Sequence, residues 1–150
     1  RFADALGVAD TGAGSAPVVD LGAIEFPSAW VGLGHALVGV TGEPVLLGTG
    51  TLLAGSPGTL ALSQAAPGAP ALMLLSPSGN PTPFKCGQLV PVPVIFQLPL
   101  VTNGAGAIPL LWASWPAGLS GLDLHFQWAI ADGAAVCGVA LSNALRAEVP

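Results

Sequence analysis

The stretch "GLDLHFQWAIADGAAVCGVALSNALR" (residues 121–146) places Asp, His, Gln, Cys, Ser and Asn within one short span. Such a set could be a catalytic cluster or the wall of a sheet, and its periodicity decides between them. Leu122, Leu124, Phe126, Trp128 and Ile130 recur at every second position, with Asp123, His125 and Gln127 between them. In an extended chain, alternate side chains point to opposite faces, so the first set reads as a core strand and the second as its solvent face. Asp132-Gly133 then supplies residues that tolerate positive φ, and the stretch reads as a β-hairpin.

The same alternation puts Asp123 and His125 on one strand face, where a Ser on a neighbouring strand would complete a Ser-His-Asp arrangement. The sequence offers no further support for catalysis. It contains no G-x-S-x-G elbow and no Gly-rich cradle that follows a strand and opens a helix. The expectation is a protein without enzymatic activity and without a cofactor, with Asp123 and His125 as solvated strand residues.

Away from this stretch the chain is punctuated regularly. "TLALS" (59–63), "APALMLL" (69–75), "VIFQLPLV" (94–101) and "AIPLLW" (107–112) have strand length and are bounded by turn residues. Asn103-Gly104, between two apolar runs, predicts a hairpin. Only residues 140–147 keep a helix-compatible period without Gly or Pro. The fold class predicted is all-β, an antiparallel sandwich of jelly-roll or immunoglobulin-like type. Residues 46–150 form the sandwich, and residues 1–45 form an apolar arm or its opening strands.

Composition narrows the function. The chain is 52% hydrophobic but only 7% charged, against about 25% charged residues in ordinary soluble domains. Arg1, Lys85 and Arg146 are its only cations, and the net charge is −5, so there is no basic patch to bind nucleic acid and little attraction to anionic lipid. Its 21 Gly and 15 Pro break every apolar run before the roughly 20 residues of a membrane-spanning helix. A membrane barrel is disfavoured by the absence of Tyr for aromatic girdles. The start at Arg1, with no apolar leader, reads as a mature form whose targeting segment has been removed.

Cys86 and Cys137 match no zinc spacing, and only His35 and His125 could join them, so no metal site is expected. They read either as a disulfide, which would imply an oxidising compartment, or as two buried thiols. Asn80 is followed by Pro81 and so is not a glycosylation acceptor.

From about Gly50 onward, in "PFKCGQLVPVP", "LPLVTNGAGAI", "WPAGLSGLDLHFQWAIAD" and "GVALSNALRAEVP", the chain resembles a family of secreted bacterial β-domains. These occur as C-terminal or free-standing modules of extracellular and cell-surface proteins, with little assigned biochemistry. The resemblance implies a secreted location and an antiparallel sandwich, and it supplies no active-site residue to carry over. This chain departs from the family at Cys86, a position commonly Gly, and in a shorter loop after "WPAGL". That makes Cys86 and Cys137 a joint feature of this sequence and favours their pairing.

Residues 16–48 precede the main body of the resemblance. Ala16, Val18, Val19, Leu21, Ile24 and Phe26 could form a strand that completes the sheet of a neighbouring copy. Repeated head to tail, such exchange builds a filament. The charge deficit and the lack of Lys on apparent edge strands point the same way. The function expected is therefore a structural subunit of a secreted self-assembling fibre, pilus-like filament or surface layer, whose partner is other copies of itself. The alternative is an extracellular adhesive or carbohydrate-binding module that holds surface glycans on Trp30, Trp112, Trp115 or Trp128. Trp112 and Trp115, three apart on one strand, are expected on opposite faces.

Overall fold

A computed structural model of the chain describes residues 29–150. The strand proposed for exchange, Ala16 to Phe26, lies outside the described residues. Eleven strands follow in order: β1 (Trp30–Gly34), β2 (Val45–Thr49), β3 (Gly58–Ser63), β4 (Pro70–Ser76), β5 (Gly79–Phe84), β6 (Gly87–Pro91), β7 (Phe96–Val101), β8 (Ile108–Trp112), β9 (Asp123–Ala131), β10 (Val139–Leu141) and β11 (Ala144–Glu148). All strand pairs are antiparallel. The larger sheet runs β1-β11-β9-β4-β7, with β10 also on β9; the smaller runs β2-β3-β8; β5 and β6 form a separate hairpin. The four apolar runs predicted as strands are β3, β4, β7 and β8.

The two sheets enclose one core. Leu124, Phe126, Trp128 and Ile130 of β9, with Ala71 and Met73 of β4 and Leu145 of β11, face Leu46, Leu60, Leu62 and Ile108 of the smaller sheet. These residues are apolar and stand at alternate positions along their strands, which is what a sheet needs to bury one face. Where the backbones come closest, only Gly fits: a Cβ on Gly48 would lie 2.1 Å from the Trp30 ring, and one on Gly58 2.3 Å from the Trp112 ring.

Several expectations are corrected. Leu122 lies just before β9 in a turn and is 42% exposed, so the core strand begins at Leu124. Residues 140–147 are not helical; they are β10 and β11, whose Ala140, Leu145 and Ala147 line the inter-sheet core. Asn103-Gly104 does not close a hairpin, because β7 belongs to the larger sheet and β8 to the smaller. The segment is a crossover instead, in which Asn103 Oδ1 accepts from Ala105 N and Ala107 N and the positive φ of 68° falls on Gly106. The β9–β10 connection is longer than an Asp132-Gly133 turn and includes a 3-10 turn at Val136–Gly138.

Edge chemistry differs between the two sides of the sandwich. Thr102 N donates to Ala69 O, and alternation along the antiparallel ladder then turns position 99 of β7 outward. That position is Pro99, which has no N–H to offer. Pro109 takes the equivalent place on β8, opposite Ala61. On the other side, β1 and β2 are edges without proline.

The β5–β6 hairpin lies across the outer face of the larger sheet, against β9. Its turn is Lys85-Cys86, both left-handed with φ of 45° and 66°, in the manner of a type I′ turn. A disulfide joins Cys86 to Cys137, which is also left-handed at φ 66°. It spans a sequence separation of 51, so in the chain-entropy treatment it constrains the unfolded state by about 4 kcal/mol. Reduction should therefore lower the unfolding free energy by about that amount. Denaturant titrations with and without reductant measure it, and an unchanged midpoint would show that the bridge adds no net stability.

Candidate functional site

The polar residues of the 121–146 stretch converge on the outer face of β9, under the β5–β6 hairpin. Asp123, His125 and Gln127 were expected to face solvent; Asp123 does, whereas Gln127 is fully buried and His125 is 9% exposed. Period two separated the faces correctly but could not tell that both would be covered.

Gln127 is the centre of the arrangement. Its Oε1 accepts from Val90 N at 2.9 Å, which fixes β6 to β9. Its Nε2 donates to Ser142 O at 3.0 Å and Gln88 O at 3.1 Å, with His35 O at 3.3 Å. Four chain segments are joined through one amide. A side chain with donors and an acceptor on the same terminal carbon is required; an ionised Glu would only accept, and Leu would do neither.

The carbonyl of Ser142 is available because β10 and β11 are one strand interrupted by a bulge. β10 pairs with β9 in the register Ala140↔Ile130, whereas β11 pairs as Leu145↔Phe126, one residue out of step. At the break, Ser142 Oγ replaces the displaced carbonyl and accepts from Trp128 N at 2.9 Å. Asn143 is turned toward the other sheet. Its Oδ1 accepts from Leu46 N at 2.7 Å and its Nδ2 donates to Leu46 O at 3.0 Å, so a side chain stands in for a strand partner of β2. Asp132, also buried, accepts from Val40 N at 2.6 Å and Ala134 N at 3.0 Å, which ties the turn near Gly39 to the end of β9.

The third member of a Ser-His-Asp set is present: Ser76 of β4 lies directly opposite His125. The arrangement is nevertheless closed. Ser76 is fully buried and its Oγ accepts from Ser78 N at 3.0 Å. His125 Nδ1 is buried without a partner among the described residues, so Asp123 does not orient the ring. Gly79 covers the imidazole closely enough that a Cβ there would lie 2.6 Å from it. Two cavities, one between β1 and β2 and one beside Phe84, open elsewhere, and neither is lined by the three groups.

The Trp residues are also corrected. The chain bends after β8, so Trp112 and Trp115 do not take opposite faces; their rings meet at 5.1 Å, and Trp30 lies 6.2 Å from Trp112. Both Trp112 and Trp115 pack against the core, and Trp128 is fully buried. Trp112 and Trp115 are half-buried, and Trp30 is buried.

A groove of about 430 Å³ lies between β1 and β2, lined by Trp30, Gly32, Leu46, Gly48, Leu145 and Glu43. Sequence reasoning did not anticipate it, because it depends on which strands end up as edges.

No protein-family model, curated protein or solved structure matches the chain. Among the described residues no group of His, Cys, Asp and Glu is placed to hold a metal, and no helix is long and apolar enough to cross a membrane. The disulfide is compatible with an extracellular location.

Replacing Gln127 by Leu should destabilise the fold by about 4 kcal/mol, since Val90 N–H and buried carbonyls each lose a partner at about 1–3 kcal/mol. Urea unfolding of the variant measures this, and a loss below about 1 kcal/mol would show that the amide is not the anchor. His125 supplies a second expectation. Burial pushes its pKa below the ordinary imidazole value and Arg146 adds to this, against opposing effects of Asp123 and the Ser76 main chain. The native state thus favours neutral His125, and its contribution is complete above about pH 6.5 and lost as pH falls toward the lowered native value. Thermal unfolding of His125→Gln should decline less between neutral and mildly acidic pH than that of the parent; parallel declines would exclude His125 as the cause.

Proposed function

We propose that this chain is a non-enzymatic structural subunit, secreted or displayed at the cell surface, that assembles with copies of itself into a fibre or layer. The observation that carries this reading is the open side of the sandwich. Ala29 O accepts from Glu148 N, so alternation along β1 directs the main-chain groups of Gly32 away from β11 and toward the groove. On β2, Leu46 is already held by Asn143, and Gly48, two residues on, points the same way. An extended strand entering here would find main-chain partners and an apolar floor.

The segment assigned to this role is Ala16 to Phe26 of a neighbouring copy, carried on the sequence that leads into β1. The surface supports association more broadly: Leu111, Ile95, Val101 and Leu47 are 74%, 64%, 64% and 59% exposed on a chain with few charges to keep copies apart. The disulfide and the resemblance of residues 50–150 to secreted bacterial β-domains support the location. An enzymatic role gains nothing from the closed His125 environment. A carbohydrate-binding role would rest on Trp112 and Trp115, which are half-buried and in contact with each other.

Electron microscopy of the full chain should show fibres or layers with a regular subunit repeat. Leu21→Asp with Ile24→Asp should abolish them while near-ultraviolet circular dichroism stays unchanged. Uniform single particles of the parent chain at every concentration would overturn the proposal.

A further inference from the structure

The two sheets differ in what covers them from outside. The larger sheet carries the β5–β6 hairpin and, beyond it, Asp123, Arg146 and Glu148, with Arg146 and Glu148 paired. Among the described residues, no element covers the smaller sheet from outside. Its outer face presents Val45 and Leu47 from β2, Ala61 from β3, and Pro109 and Leu111 from β8. The polar positions among them are Thr and Ser, and none is charged. The remaining described charges, Glu43, Lys85 and Asp132, lie in loops or at the hairpin turn. An uncharged, half-apolar sheet face open to water is the feature of this molecule most in need of a partner.

We infer that this face pairs with the same face of a second copy, in a two-fold contact. The inference rests on the self-assembly proposed above and names one of its surfaces. The register supplies the fit. Leu47, Ala61 and Pro109 lie in one row across the three strands, and Thr49, Thr59 and Leu111 in the next. A two-fold axis in the contact plane and parallel to β3 exchanges the outer strands. It sets Leu47 of one copy over Pro109 of the second, and Leu111 over Thr49, so each large side chain meets a smaller one. Ala61 leaves the centre low enough for the two sheets to approach face to face, as in sandwich packing.

Charge on this face does not oppose a second copy. Each chain is acidic overall, yet this face carries no charge to repel its twin. In size, three strands spaced about 4.8 Å apart and five residues long give roughly 250 Å² of sheet plane per copy. That falls in the small, weak class of contacts, suited to a junction that gains strength by repetition in an assembly.

Sedimentation velocity of the full chain over a concentration series tests this. The parent chain should associate reversibly. Leu111→Glu and Leu47→Glu, at positions 74% and 59% exposed where a charge is tolerated in the monomer, should each weaken association at least about tenfold. Leu111→Thr, which keeps strand propensity, should weaken it less, and Leu122→Glu, on a turn elsewhere, should leave it unchanged. Unaltered near-ultraviolet circular dichroism confirms that each variant is folded. If the parent associates and the Leu47 and Leu111 variants associate equally well, this surface is wrong while self-assembly stands. A parent chain that stays monomeric throughout overturns both.

Discussion

The side-chain amide of Gln127 ties four segments of the molecule together, and with the Cys86–Cys137 bridge it fixes the β5–β6 hairpin to the larger sheet. A hairpin whose first strand is almost wholly exposed cannot stay on the sheet by apolar burial alone, since only Leu89, Val90 and Pro91 of β6 are buried with it. Fixing Val90 N–H and Gln88 C=O to one amide gives it a place and a register. The same amide takes up the Ser142 carbonyl that the bulge releases. Without that acceptor filled, the bulge would leave a buried main-chain group unpaired, and Asn143 would have no reason to turn toward β2. Hairpin, bulge and inter-sheet stitch thus depend on one residue in the middle of the longest strand.

How far this could be read from sequence follows from the same arrangement. The strands β3, β4, β7 and β8 were legible because each is a short apolar run bounded by turns. The inner face of β9 was legible from Leu124 to Ile130 because period two is a local property. What covers the other face is not local. The hairpin over Gln127 comes from residues 79–91, and nothing in "LHFQWAI" distinguishes a Gln in water from one under a hairpin. Asn103-Gly104 misled for a related reason, since a turn-forming pair reverses the chain without specifying whether the next strand joins the same sheet. Trp112 and Trp115 misled because spacing of three implies opposite faces only while the strand continues, and it stops at Trp112.

The candidate site was legible as a group of residues and illegible as a role. Asp, His, Gln, Ser and Asn do converge, as their crowding in the sequence suggested, and a Ser does stand opposite His125. Catalytic groups need access and mutual hydrogen bonds, whereas here the Gln127, Ser142 and Asn143 side chains are spent on main-chain groups and His125 Nδ1 is buried without a partner among the described residues. Apart from the Asp132 carboxylate, these main-chain groups are met by neutral amides and hydroxyls, which hold their bonds at any pH and carry no ionic desolvation penalty. The open side and the bare sheet face then leave association surfaces that are also almost free of charge.

The prolines of β7 and β8 give this molecule a sense of direction. Pro99 and Pro109 remove an outward donor from each strand on one flank, while Gly32 and Gly48 turn main-chain groups outward on the other. Main-chain pairing is blunted on the first flank and open on the second. Copies that recruit one another through their edges would therefore form a string with a head and a tail, lengthening at one kind of end, and stray strands from unrelated proteins would find only one flank to seed on.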